Sequence, residues 1–189
     1  LPPAPEGPGR LIALEGVRGT RLAAAARDLT AVVAPEEGGH SLWDASNIFY
    51  EMRLGKAKKL APTARTLLLL YASDLAFRLR WEIRPALAEG LTVVAAPYVE
   101  SAIAFGMAAS LPHKWMVSLF AFAPQPHTCY RLPEKPAYPE DHPKAGDGFL
   151  EFACSMMKHG TPPWDPKEIW AGVHAYLDDL EARHGCRTI

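Results

Sequence analysis

The chain has 189 residues, a formal net charge of −1 at pH 7 and 49% hydrophobic residues, enough to bury one full core without disulfide or metal staples. A pI near 6.7 argues against electrostatic binding of nucleic acid. The apolar runs, with Thr66–Ala72 and Leu91–Ala96 among the longest, are too short to span a bilayer.

Residues 1–9, rich in Pro and Gly, read as a flexible lead-in, and residues 10–189 as a single domain. Arg10–Leu14 predicts a buried strand, and Leu22–Leu29 the helix after it. Between them runs Glu15-Gly16-Val17-Arg18-Gly19-Thr20, the layout of a phosphate-binding loop. A working loop of the form G-x-x-x-x-G-K-[ST] brings backbone amides and a lysine to the phosphates and a hydroxyl to the metal. Counting from Gly16, those three places hold Arg21, Leu22 and Ala23. The loop residues left to meet an anion are Gly16, Arg18, Gly19 and Arg21, at a helix N-terminus.

Thr30–Ala34 predicts a second short strand, ended by Pro35 and the turn at Gly38-Gly39, and Ser46–Leu54 suits a helix. Lys56, Lys58 and Lys59 read as a solvated face. Thr63 to Glu89 predicts one long helix, opened by Pro62 and Thr63 and stopped by Gly90. From Leu67 to Trp81 it is apolar over most of its circumference, more than one face against a sheet requires. A second protein surface or a large single core would each account for that excess. Leu91–Ala96 is the third predicted strand, followed by helices at Val99–Ala109 and Lys114–Phe122 and a fourth strand at Thr128–Leu132. Pro133–Pro143 is a loop by composition, and Gly148–Lys158 is helical. The last helix has clear start signals in Asp165, Pro166 and Glu168; Ile169, Trp170, Val173, Leu177 and Leu180 recur at helical spacing, and Gly185 stops it. Strands alternating with helices argue for a three-layer α/β fold around a parallel sheet.

Cys129, Cys154 and Cys186 are odd in number and lack metal spacing, which points to a reducing, cytoplasmic setting. Seven scattered histidines form no ligand pair, so no metal site is expected. His113, Lys114 and His127 have no nucleophile motif near them in sequence.

With these motifs placed, the chain resembles a bacterial thymidylate kinase from about Leu11 to Leu132. The family opens with E-G-x-D-G-x-G-K-[ST], where this chain has Glu15 to Ala23. Its R-E-P-G-G-T-P-x-G-E block is matched by Pro35 to Asp44, and L-L-F-x-A-D-R-A by Leu69-Leu70-Tyr71-Ala72-Ser73-Asp74-Leu75-Ala76. I-R-P-A-L-x-x-G is kept as Ile83-Arg84-Pro85-Ala86-Leu87-Ala88-Glu89-Gly90. The D-R-Y-x-x-S-x-x-A-Y-Q block appears from Ala96 through Tyr98, Ser101 and Phe105 to Gly106. The resemblance implies a P-loop NTPase-like fold with strand order 2-3-1-4 and a fifth strand after the penultimate helix; residues 158–163 offer no strand-like run, so that edge strand is expected to be missing or reduced, and the lid reduced.

The departures fall on the residues that handle phosphate and metal in the family. Arg18 stands for an acid, Arg21-Leu22-Ala23 for glycine, lysine and hydroxyl, Leu75 for an arginine, Ala96-Pro97 for Asp-Arg, and Gly106 for a glutamine. The family's lid carries arginines; Pro133–Gly148 has only Lys135 and Lys144. Phosphoryl transfer is positioning and charge stabilisation, and loss of one stabiliser commonly costs about 10²–10³ in rate. The expectation is therefore a non-catalytic binding or assembly module without a cofactor. The alternatives are an active dTMP kinase using ATP and Mg²⁺, or a small-ligand binder using a remnant nucleotide pocket at Tyr71, Tyr98, Ser101 and Phe105. By the same resemblance a homodimer is expected through helix 63–89, at Leu67, Leu68, Tyr71, Leu75, Leu79 and Trp81; an unidentified protein is the other candidate partner, with neither nucleic acid nor membrane expected.

Overall fold

The computed structural model describes residues 8–34, 38–43, 62–133, 148–158 and 164–189. The expected helix at Ser46–Leu54, the three lysines at 56–59, most of the Pro-rich loop and residues 159–163 lie outside them.

Among the described residues, five parallel strands form one sheet in the order β2-β3-β1-β4-β5. They are β1 (Arg10–Glu15), β2 (Gly39–Leu42), β3 (Thr92–Ala96), β4 (Thr128–Arg131) and β5 (Arg187–Thr188). The order 2-3-1-4 is the expected one. Along β1 the side chains alternate between faces. Ile12 and Leu14 meet Leu22 and Ala26 of α1 (Gly19–Val33) on one side. Leu11 and Ala13 face the larger core on the other. That core is roofed by α2 (Ala64–Arg78), α4 (Glu100–Ala108), α5 (His113–Leu119), α6 (Phe149–Met157) and α7 (Pro166–Asp178). The predicted caps hold. The hydroxyl of Thr63 accepts from the Thr66 amide, and the carboxylate of Asp165 from the Lys167 amide. The long helix runs on from α2 through a π-helical turn, Leu79–Ile83, into α3 (Arg84–Ala88), and α8 (Leu180–His184) follows α7.

Three expectations need correction. Thr30–Ala34 is no strand: α1 continues to Val33, the Thr30 hydroxyl donates to the Ala26 carbonyl, and Val32 points into solvent. The β-branched residues there cost a helix only a few tenths of a kcal/mol each, about as much as a weak prior can be overridden by. The second strand is Gly39–Leu42, which has no apolar alternation and is fixed by pairing with β3. The fifth strand is reduced, as expected, and is formed by Arg187–Thr188 after α8, while residues 159–163 lie outside the described residues. Cys129 and Cys186 are not free thiols but form a disulfide, with Cα atoms 4.5 Å apart, which removes the cysteine-based ground for a reducing, cytoplasmic setting. Finally, Leu67, Leu68, Tyr71, Leu75 and Leu79 face inward, so the apolar excess of the long helix belongs to the protein's own core. Of the six residues expected at a dimer interface, Trp81 is exposed, beside Phe77 and Leu69. No helix among the described residues is long and apolar enough to cross a membrane.

Candidate functional site

Parallel strands place their following loops along one edge, and β1, flanked by β3 and β4, delivers the Gly16–Arg18 turn to the middle of it. The turn is tied down on both sides. The Gly16 amide donates to Ser101 Oγ at 3.2 Å, and Ser101 Oγ in turn donates to Glu15 Oε2 at 2.6 Å. The carboxylate of Glu15, fully buried, also accepts from the amides of Tyr98, Glu100 and Ser101 at 2.9–3.3 Å, which caps the first turn of α4. Burial raises the pKa of Glu15, and the nearby charge of Glu100 adds to this. The Ser101 hydroxyl and the amides pull it back.

At the start of α1 the helix N-terminus already holds an anionic group. The amide of Gly19 donates to Glu151 Oε2 at 2.9 Å, and Glu151, on the first turn of α6, is 6% exposed. A carboxylate at a helix N-terminus sits where an oxyanion would, against the positive end of the helix dipole. The fit leaves little space. Gly148 has φ of +147°, and a Cβ there would lie 2.7 Å from Gly19 Cα and 2.8 Å from its nitrogen. Leu22, in the lysine position, is buried against Ile12, Leu14 and Val94. Arg21 is exposed on the outer face of α1, and Arg18 is half-buried, with its carbonyl accepting from the Leu22 amide. These residues do not fit the phosphates of a magnesium nucleotide in the manner of a P-loop: one loop amide is taken by Ser101, another by Glu151, and the lysine position packs into the core. Among the described residues no three His, Cys, Asp or Glu side chains group as metal ligands.

The four residues of the expected nucleotide pocket do come together, as core. Tyr71 is fully buried, its hydroxyl lying against the carbonyls of Pro97, at 3.0 Å, and Tyr98. The Tyr98 hydroxyl donates to the Pro124 carbonyl at 2.7 Å. Burial raises both phenol pKa values, further increased by the charge of Glu15 and offset by that of Arg78. Phe149 of α6 fills the space between the rings, 4.5 Å from Tyr71 and 5.6 Å from Phe105 between centroids, with Trp43 at 5.8 Å.

Sequence reasoning missed two groups here. Glu151 lies three residues after Gly148, in the first turn of its own helix, where an acid reads as ordinary local stabilisation. Arg78, 4% exposed, pairs with Asp74 at 2.9 Å and reaches the carbonyls of Pro97 and Ser41 at 3.3–3.4 Å. It thereby fastens α2 to the ends of β2 and β3. Its spacing of four from Asp74 was the available signal.

A thymidylate kinase from Candida albicans superposes with a TM-score of 0.61 over 96% of this chain and 83% of its own, at 15% identity. The fold is that of a thymidylate kinase. A protein described as a probable thymidylate kinase, from Pyrobaculum calidifontis, is 34% identical over 84 residues. That match covers 44% of each sequence, so the chain spans less than half the length of this curated relative. No family model matches the chain. The thymidylate kinase-like fold thus carries a β1–α1 loop in which the Gly19 amide donates to the protein's own Glu151 carboxylate.

Proposed function

We propose that the chain is a degenerate member of the thymidylate kinase family that does not transfer phosphate and acts as a binding or assembly module. The observation that carries this is Glu151, seated on the Gly19 amide at the N-terminus of α1. A γ-phosphate held there would have to displace a buried carboxylate, and no loop lysine is present to favour the exchange. Supporting it are Leu22 packed into the core and Ala96 and Pro97 in place of an Asp-Arg pair.

The kinase reading is favoured by one finding, the 34% identity to a probable thymidylate kinase. A coupled assay with ATP, dTMP and Mg²⁺ decides between them. The expected result is no turnover above buffer. Magnesium-dependent turnover that copurifies with the protein through successive columns overturns the proposal. Thermal-shift screening with nucleosides and nucleotides tests the ligand-binding reading of Tyr71, Tyr98, Ser101 and Phe105, which predicts a shift at millimolar concentration.

For assembly, we propose a second copy of this chain, docked on the outer face of α2 and its π-helical extension. Phe77 and Trp81, 69% and 61% exposed and 6.3 Å apart between ring centroids, stand there in line with Leu69.

A further inference from the structure

We propose that the Cys129–Cys186 disulfide is a redox-operated clasp: it holds β5 on the edge of the sheet, and its reduction by a dithiol frees residues 185–189 while the rest of the fold stays in place. Among residues 185–189, besides the disulfide, the strand is held by a short pairing with β4 and by the burial of Cys186. β5 is two residues long, paired as Arg187 with Tyr130 and Thr188 with Arg131, and both of its side chains are exposed. Beyond it the Ile189 amide donates to the Arg131 carbonyl at 3.1 Å, and Ile189 is itself exposed. A ladder this short contributes little stability by itself. Gly185, at φ +63°, turns the chain back from α8 into the strand and imposes no packing of its own. Cys186 is the one residue of the segment that is buried. The disulfide therefore adds the covalent attachment to this pairing and burial, closing a loop between residues 57 apart in sequence.

The two residues differ in burial. Cys186 is buried in the main core and Cys129 is half-buried on β4, so the attack is assigned to Cys129. A thiolate of the dithiol attacks Cys129 Sγ, breaking the bond to Cys186 and leaving Cys186 as a thiolate. The second thiol of the reductant then displaces Cys129, and the reductant departs as its cyclic disulfide. Two electrons pass to the protein, and both cysteines take up protons at neutral pH. Cys154, the third cysteine, takes no part: it is buried on α6, and burial together with the charge of Glu151 raises its pKa.

Release reaches toward the β1–α1 loop. Arg131, which loses the Thr188 pairing and the Ile189 bond, also pairs with Glu15 on β1 and forms an ion pair with Asp178 of α7. The next residue, Leu132, donates its amide to the Glu15 carbonyl and lies against Gly16. Opening the clasp leaves Tyr130 and Arg131 as a free parallel edge beside that loop.

The experiment compares the wild-type protein, air-oxidised or treated with dithiothreitol, with C129A/C186A and with C154A. Alkylation in denaturant should modify one cysteine in the oxidised protein and three after reduction. Trypsin cleavage after Arg187 should be about ten-fold faster in the reduced protein and in C129A/C186A than in the oxidised one, as expected for a locally opened segment. Amide exchange across residues 11–14 and 92–96 should be unchanged, and C154A should behave as wild type. The proposal is overturned by three alkylatable thiols in the oxidised protein, or by equal cleavage after Arg187 in both redox states. It is also overturned if β1 and β3 lose protection together with the segment, since reduction would then unfold the domain instead of opening a clasp. Should C129A/C186A fail to fold, the reduced wild-type protein gives the same readouts.

Discussion

Replacing Glu151 by alanine tests whether the loop is closed by its own carboxylate. The change leaves the Gly19 amide, half-buried at the start of a fifteen-residue helix, without its anionic acceptor. A hydrogen bond to a charged group contributes about 1.5–3 kcal/mol net, and the helix-dipole attraction is already contained in that figure because Gly19 N–H is part of the helix terminus. A loss of about 2 kcal/mol corresponds to a fall of roughly 4–8 °C in Tm for a domain of this size. E151Q keeps an acceptor oxygen without the charge and should lose about half as much. The second expectation concerns inorganic phosphate. Wild-type Tm should be insensitive to it at constant ionic strength, whereas E151A, with the helix N-terminus vacated, should be raised by it. Differential scanning fluorimetry with and without 20–50 mM phosphate (on the order of a weak anion site's dissociation constant) reads both effects. If E151A lies within about 0.5 kcal/mol of wild type, as substitutions without a structural role do, Glu151 does not close the loop.

His174 is 4% exposed on α7, where burial lowers its pKa; Asp178 opposes that shift, and Arg131 and Arg18 add to it. Below the unfolded value of about 6.5 the unfolded chain binds a proton that the folded one does not, so stability should fall as pH drops from 7 toward the lower folded pKa. Urea denaturation between pH 5 and 7.5 should show that slope in wild type and a flatter one in H174Q; equal slopes would exclude His174 as its source. R78M removes the cation from its pairing with Asp74 and from the Pro97 carbonyl, at an expected cost of about 3 kcal/mol in chemical denaturation, and a loss below about 1 kcal/mol would contradict the fastening role. If α2 pairs with a second copy, light scattering at tens of micromolar should give a dimer for wild type and a monomer for F77E. A specific interface of this kind buries about 1,200–2,000 Å². A monomeric wild-type protein would refute the pairing.

The sheet order came from the family resemblance; what the residues themselves made legible were β1 and β3, continuous apolar runs whose type needs no tertiary help, and the helix ends marked locally by Thr63, Asp165 and Gly90. Where local signal and tertiary pairing disagreed, pairing decided. Thr-Ala-Val-Val looked like a strand yet finished α1, since the β3 edge was claimed by Gly39–Leu42. The same holds for Tyr71, Leu75 and Leu79, which read as surplus on one helix because the core they share is completed from far along the chain, as by Phe149 against Tyr71.

The candidate site was legible only against the motifs of the family the chain resembles, where Leu22 falls at the place of a lysine and Leu75 at that of an arginine. A substitute need not occupy the vacated position, because a buried cavity or a bare helix terminus can be satisfied by any group of suitable chemistry that the fold delivers. Here the anionic group comes from Glu151, 132 residues from the amide it serves, and the filling side chain from Phe149 two residues before it. Both sit on one helical turn, directly after a glycine whose φ of +147° and closeness to Gly19 admit no side chain. Closure of the loop and filling of the core between Tyr71 and Phe105 are thus one structural event, the docking of α6. A change that lifts α6, such as G148A, should therefore open both together, exposing the Tyr71–Phe105 core to solvent and the Gly19 amide to anions in the same step.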